Sequence, residues 1–160
     1  MKEVKIESTL TVYDNFDELP KSVASLMQHA IEARQKSYSP YSKFSVGAAL
    51  LLDNGEIITG SNQENASYPS GLCAERTAIY YAGAKYPEAK IVQIAIIAGS
   101  TVKQTMSPIP PCGACRQAIA EYEIKQETPI EIYFMGEIGK VVKSNSLANI
   151  LPLVFDKSFL

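Results

Sequence analysis

The chain has 160 residues, of which 46% are hydrophobic and 20% charged, and its formal net charge at pH 7 is −2. This length suits one domain with a substantial core, and the composition is typical of a folded globular protein rather than a disordered chain. The chain lacks the excess of lysine and arginine that neutralises phosphates and has no apolar stretch of about 20 residues, so we expect neither a nucleic-acid nor a membrane partner.

The N-terminal third predicts an edge strand, a helix and a hairpin. Apolar and polar residues alternate over 4–12, which is the period of a half-buried strand added at a sheet edge, with a frayed tail as the competing interpretation. Helical spacing follows over 20–36. A continuous apolar run over 46–52 then leads into Asp53-Asn54-Gly55. Asn-Gly between apolar segments predicts a tight hairpin in which both central residues have positive φ.

The rest of the chain alternates between predicted helices and strands. In chain order the pattern predicts a helix over 73–83, a buried strand over 92–98, a loop over 99–111, a helix over 112–123, a strand over 130–135 and a brief helix over 147–151. Strands interleaved with helices predict an α/β fold with three layers, in which helices cover both faces of the sheet. We expect one domain over 1–160, with 1–14 as an N-terminal extension.

The three cysteines of the chain fall in two short motifs. Cys73 opens a Cys-Ala-Glu run, whereas Cys112 and Cys115 form a Cys-x-x-Cys motif, and 38 residues separate Cys73 from Cys112. Both motifs begin predicted helices, where unpaired backbone N–H groups and the helix dipole favour thiolates. Three thiolates can bind one zinc ion and leave the fourth position of its tetrahedron for water, which is the arrangement of catalytic zinc.

Two residues beside the first cysteine extend this prediction. Glu75 is placed to take a proton from water and return it to a substrate. Arg76 could donate hydrogen bonds to the thiolates and offset their negative charge, although a surface salt bridge is the competing interpretation. The single histidine, His29, lies far from both motifs and is not needed for the metal. The sequence therefore predicts a hydrolytic site with one Zn²⁺ per chain, and a structural zinc knuckle is the alternative.

The cysteine count and the N-terminus together indicate a compartment. An odd number of cysteines points away from disulfides, and the charged segment MKEVKIESTL does not resemble a signal peptide. We therefore expect a cytoplasmic protein.

Four segments of the chain resemble one known family. They read YSPYSKFSVGAALL, SNQENASYPSGLCAERTAI, PCGACRQ and ILPLVF, and the resemblance as a whole covers roughly residues 20 to 155. The chain resembles the zinc-dependent cytidine deaminase family, in its small three-cysteine homotetrameric branch. This resemblance implies a mixed sheet of about five strands, to which the N-terminal strand would be an addition. It also implies Cys73, Cys112 and Cys115 as zinc ligands and Glu75 as the proton shuttle.

The resemblance further implies how a substrate is bound. It places Phe44 against the pyrimidine ring, Asn62 and Glu64 on the ribose 3′-hydroxyl, and the backbone around Ala74 on the carbonyl of the base. An ordinary polar loop is the competing interpretation of the Asn-x-Glu pair. Tyr68 and Phe155 match positions that reach into a neighbouring subunit's site in the tetrameric branch.

The implied activity is the hydrolytic deamination of cytidine and 2′-deoxycytidine in pyrimidine salvage. One departure is Pro110, which stands where the family commonly has serine; we expect its carbonyl to accept the hydrogen bond from the departing amino group. Three alternatives remain at this point: a deaminase of a modified or antibiotic cytosine nucleoside such as blasticidin S, a deaminase of a base within RNA or DNA, and a non-enzymatic structural zinc-binding domain.

Overall fold

A computed structural model describes all residues, 1–160, and contains three α-helices and six strands. The strands are β1 (Thr11–Tyr13), β2 (Phe44–Leu52), β3 (Ile57–Ser61), β4 (Ile91–Ser100), β5 (Glu131–Met135) and β6 (Val141–Ser144). The helices are α1 (Lys21–Arg34), α2 (Ala74–Lys85) and α3 (Gly113–Gln126). None of these helices has the length and apolar character needed to cross a membrane.

All six strands belong to one mixed sheet. Its order is β1-β6-β5-β4-β2-β3, in which β4 and β5 run parallel and every other neighbouring pair is antiparallel. Parallel strands need a long crossover, and α3 provides it between β4 and β5. The prediction of a mixed sheet with an extra N-terminal edge strand is confirmed.

Helices cover both faces of this sheet, as predicted. Side chains alternate between the faces along each strand, so Ile94 and Ile96 of β4 pack in the cluster formed with α2 and α3. Ala95 and Ile97 of the same strand pack in the cluster formed with α1. Each fully buried isoleucine stabilises the fold by about 1.5–3 kcal/mol relative to an exposed one. The α/β prediction with three layers is therefore confirmed.

The N-terminal strand is shorter than the alternation predicts. Only Thr11–Tyr13 pair with β6, and they do so in antiparallel register. Val4, Ile6 and Leu10 are exposed and belong to no strand. The prediction of a half-buried strand over 4–12 is wrong for residues 4–10, because a period-2 pattern forms a strand only where a partner strand is in reach.

The turn between β2 and β3 also differs from the predicted one. Gly55 has a φ of +85°, and it is the only residue of the turn with positive φ. Its N–H donates to the Leu52 carbonyl at 3.0 Å, and the Leu52 N–H donates to the Glu56 carbonyl at 3.0 Å. These bonds close a three-residue loop in which glycine takes the left-handed position, whereas a two-residue turn would need positive φ at Asn54 too.

A close approach between β3 and α2 positions the site. A Cβ atom added to Gly60 would lie 2.5 Å from the Ala74 carbonyl oxygen and 2.7 Å from the Ala78 nitrogen. Only glycine therefore allows the start of α2 to lie so near the strand. This contact matters because α2 carries the first cysteine motif.

Candidate metal centre and substrate cleft

Two helix starts bring the three cysteines together. Cys73 directly precedes α2 and Cys112 directly precedes α3, both with extended backbone, and Cys115 lies in the first turn of α3. The first-turn N–H groups of a helix have no partner inside the helix, so sulfurs at these positions lie in a field that favours the thiolate. The predicted helix starts are confirmed to within one residue.

The spacing of the sulfur atoms suits a tetrahedral zinc ion. The Sγ atoms of Cys73 and Cys112 are 3.8 Å apart, those of Cys112 and Cys115 are 3.5 Å apart, and all three lie within 4.8 Å of one another. Two sulfurs bound to zinc at about 2.3 Å with tetrahedral angles lie about 3.8 Å apart. All three cysteines are free. The donor set therefore fits one Zn²⁺ per chain, with three protein ligands.

Glu75 lies beside the sulfurs and is almost fully buried. Its side chain is 3% exposed, and its Oε2 atom has no hydrogen-bond partner. Burial, helped by the negative charge of Cys73, raises the pKa of Glu75 to about 6. A buried carboxylate oxygen without a hydrogen-bond donor destabilises the fold. The presence of Glu75 at this position therefore indicates that its carboxyl group hydrogen bonds to water or substrate during function. A pKa near neutrality suits proton transfer in both directions.

Arg76 lies against the first sulfur. Its Nη2 atom donates to the Cys73 sulfur at 3.7 Å, and its buried Nε has no acceptor. The pKa of Cys73 lies well below its ordinary value because the Cys115 thiol and the Arg76 guanidinium hydrogen bond to its sulfur. A fixed positive charge at this distance offsets part of the charge of three thiolates.

A cleft of about 740 Å³ opens in front of the sulfurs. Most residues predicted for the site line it: Phe44, Asn62, Glu64, Tyr68, Cys73, Glu75, Arg76 and Cys112. Cys115 is buried behind them, while Tyr68 is 75% exposed and its ring lies 6.0 Å from that of Tyr41. Pro110 also lines the cleft. The volume lies within the range that holds a small organic ligand.

Asn62 joins the cleft to the start of β2. Its Oδ1 accepts from the Val46 N–H at 2.8 Å, and its Nδ2 donates to the Phe44 carbonyl at 2.9 Å. A primary amide has two N–H donors, so one remains for a ligand. The side chain thus holds the edge of β2 beside the half-buried Phe44 ring.

Glu64 is held by residues that sequence reasoning did not identify. Its Oε2 accepts from the Tyr41 N–H at 2.9 Å and from the Ser42 N–H at 3.3 Å, and its Oε1 accepts from the Ser42 hydroxyl. In the sequence, the segment YSPYSKF carries only a resemblance to a family and no motif of its own that predicts a contact with Glu64. No spacing rule predicts these contacts, because they join a loop to a distant strand end.

Two further predicted residues occupy different surroundings. Ala74 is buried. Because it is the first residue of α2, its N–H is one of those that have no partner inside the helix. The structure does not bring Phe155 into the cleft. Its ring is 60% exposed and stacks on Phe159 at 5.8 Å, and its carbonyl accepts from Gln117 at 2.7 Å.

Comparison with known proteins agrees with this geometry. Residues 20–128 match the family model for the cytidine and deoxycytidylate deaminase zinc-binding region. The chain is 42% identical over 132 residues to a cytidine deaminase of Halalkalibacterium halodurans, covering 81% of this chain and 91% of the relative. It is 38% identical over 138 residues to one of Sporosarcina psychrophila, covering 84% and 92%. A cytidine deaminase structure from Burkholderia pseudomallei aligns with a TM-score of 0.70 at 38% identity, covering 82% of this chain and 97% of that one.

Proposed function

The chain belongs to the cytidine and deoxycytidylate deaminase family, and on that premise we propose that it deaminates cytidine and 2′-deoxycytidine by hydrolysis. The products are uridine or 2′-deoxyuridine and ammonia. One observation carries this proposal: three cysteine sulfurs lie within 4.8 Å of one another, and Cys73 and Cys112 border a cleft that the buried Glu75 also lines. This combination provides a zinc site and a proton-transfer group on the same wall.

The proposed chemistry adds water to the pyrimidine and expels ammonia. Cys73, Cys112 and Cys115 would hold the zinc ion, which when bound supplies the Lewis acidity that makes water a nucleophile near neutral pH. Glu75 takes one proton from the attacking water and delivers it to N3 while the new bond forms at C4. It then moves the second proton to the amino group, so that the C4–N bond breaks and ammonia leaves. A carboxyl group with a pKa near 6 suits both transfers.

The cleft wall supports a nucleoside as the substrate. Phe44 packs against the pyrimidine face, since its half-buried ring lines the cleft at the start of β2. The free N–H of Asn62 and the carboxylate of Glu64 take the ribose 3′-hydroxyl. The N–H of Ala74 donates to the carbonyl of the base, and the Pro110 carbonyl accepts from the departing amino group.

The alternatives raised by the sequence are less well supported. The relatives described above are cytidine deaminases and favour a free cytidine nucleoside over an antibiotic such as blasticidin S. A structural zinc site usually has four protein ligands and is closed. Here three sulfurs are grouped and two of them border a cleft, which favours an enzyme over a structural zinc-binding domain.

We also propose the assembly and setting of the enzyme. A homotetramer would cover Tyr68 and Phe155, two large side chains that are 75% and 60% exposed in the single chain. Three free cysteines favour a reducing compartment, so we place the enzyme in the cytoplasm. Because the proposed reaction converts free cytidine nucleosides to uridines, we place it in pyrimidine salvage. We treat 1–160 as one domain with 1–14 as its N-terminal extension.

The test is a direct assay of purified, zinc-analysed protein. Loss of the ultraviolet absorbance of cytidine, with matching release of ammonia, is the expected result for cytidine and 2′-deoxycytidine. Sedimentation of the same sample reports the oligomeric state. Absence of turnover with either nucleoside, at one zinc per chain, would overturn the proposed activity.

A further inference from the structure

The loop between α1 and β2 contains a lysine in a strained backbone conformation. Lys43 has a φ of +55°, in the left-handed region that residues other than glycine, asparagine and aspartate seldom occupy. Its N–H donates to the Ser39 carbonyl at 3.2 Å, and its own carbonyl accepts from the Thr101 N–H at 2.8 Å. Strain of this kind persists only where the surroundings hold it, and it gathers at functional sites.

This turn places the residues on either side of Lys43 in contact with each other. The Phe44 N–H donates to the Ser42 hydroxyl oxygen at 3.0 Å. The same hydroxyl group donates its hydrogen to Oε1 of Glu64. A serine hydroxyl has a single hydrogen to donate, so Ser42 is committed to Glu64. One side chain therefore connects the proposed base contact, Phe44, to the proposed ribose contact.

The acceptor count on Glu64 shows what this connection controls. An ionised carboxylate has about four acceptor positions. Two are used on Oε2, by the N–H groups of Tyr41 and Ser42, and one on Oε1, by the Ser42 hydroxyl. The position that remains is on Oε1, the atom that Ser42 holds. The Ser42 hydroxyl is also the main cause of the lowered pKa of Glu64, because its hydrogen bond favours the ionised form of this carboxyl group.

We propose that Ser42 is a positioning residue that aims the free acceptor position of Glu64 at the ribose 3′-hydroxyl. Ser42 thereby sets the preference for nucleosides that have this hydroxyl over 3′-deoxynucleosides. The inference rests on the proposed function, because it needs cytidine to be a substrate. Ser42 is thereby added to the proposed substrate site as a residue that contacts Glu64 and not the reacting atoms.

The test compares cytidine with 3′-deoxycytidine in four proteins: the wild type, Ser42→Ala, Ser42→Thr and Ser39→Ala. Ser39 is the matched control, since it lies in the same loop and its hydroxyl pairs with Ser45 instead. In Ser42→Ala we expect the ratio of kcat/KM for cytidine to that for 3′-deoxycytidine to fall about tenfold, mainly through the KM for cytidine, as for loss of a hydrogen bond to a charged group. Ser42→Thr keeps the hydroxyl and retains the ratio, as does Ser39→Ala.

Each outcome separates this inference from the proposed function. A wild-type enzyme that deaminates cytidine without preferring it to 3′-deoxycytidine overturns the inference alone. So does an equal loss on both substrates in Ser42→Ala, since a merely loosened loop would affect both. A Ser42→Thr ratio as low as that of Ser42→Ala overturns it too. A wild type that is inactive on cytidine overturns the proposed function itself.

Discussion

Replacing Gly60 with alanine tests whether the contact between β3 and α2 positions the site. The three atoms nearest to the added Cβ all belong to α2, and its 2.5 Å distance to the Ala74 carbonyl oxygen falls 0.9 Å short of the 3.4 Å at which ordinary contact begins. Two of these atoms are backbone, so no side chain can turn aside. The start of α2 must therefore move away from the strand by nearly 1 Å.

This displacement should affect catalysis more than folding. Cys73 precedes α2 and Glu75 lies in its first turn, so both would move relative to Cys112 and Cys115. A misplacement of about 1 Å can cost about 100-fold in rate, and we expect kcat/KM for cytidine to fall by that order in Gly60→Ala. Overpacking of this kind costs about 1–3 kcal/mol of unfolding free energy, which corresponds to a Tm lower by about 2–12 °C.

The matched control is Gly113→Ala. Gly113 follows a proposed zinc ligand directly, as Ala74 does, but a Cβ atom there meets nothing within 4 Å. We expect this variant to keep the wild-type kcat/KM and Tm. Steady-state kinetics, zinc analysis and thermal melting on the two variants decide the matter. A Gly60→Ala protein with kcat/KM close to that of Gly113→Ala would refute the reasoning.

Three further predictions follow from the site and its supports. Glu75→Gln should lower kcat by about 100- to 10,000-fold while zinc analysis still finds one ion per chain, and substantial turnover would remove Glu75 from the mechanism. Cys112→Ser, or chelation of the wild type, should abolish activity together with bound zinc, and only the chelated wild type should recover when zinc is returned. The Thr105 N–H and the Arg34 guanidinium hold the pKa of Glu137 below 4.5. The ionised Glu137 side chain therefore stabilises the fold fully above pH 4.5, and this stabilisation is lost as the pH falls through the lowered pKa. At neutral pH the free energy of unfolding of Glu137→Gln, measured in urea, should be about 1–3 kcal/mol lower than that of the wild type. The difference between the two proteins should shrink below pH 4.5. A difference that does not change with pH contradicts this prediction.

The metal-binding part of the site could be predicted from the sequence because it depends on local structure. A cysteine before a helix and a Cys-x-x-Cys motif at a helix start have their geometry set by the helix itself. The structure accordingly starts α2 one residue after Cys73 and α3 one residue after Cys112. The three-layer arrangement could be predicted for a similar reason, because the apolar periodicity indicates which faces of the helices and strands are buried.

The parts that were missed depend on contacts between distant segments. β6 has only four residues and is held by β5 and β1, so no run of apolar residues marked it. The bonds from Ser42 to Glu64 and from Asn62 to β2 connect positions about 20 residues apart through side chains. Their partners are set by how the loop and the strands pack, which periodicity does not record.

The place of β1 at the far edge of the sheet has a practical consequence for handling the protein. β5 and β6 separate it from β4, the nearest strand to line the cleft, and three strand spacings amount to about 14 Å. The ten residues before β1 are exposed and carry no core contact. The N-terminus is therefore the end at which to attach an affinity tag, a fluorophore or a solid support.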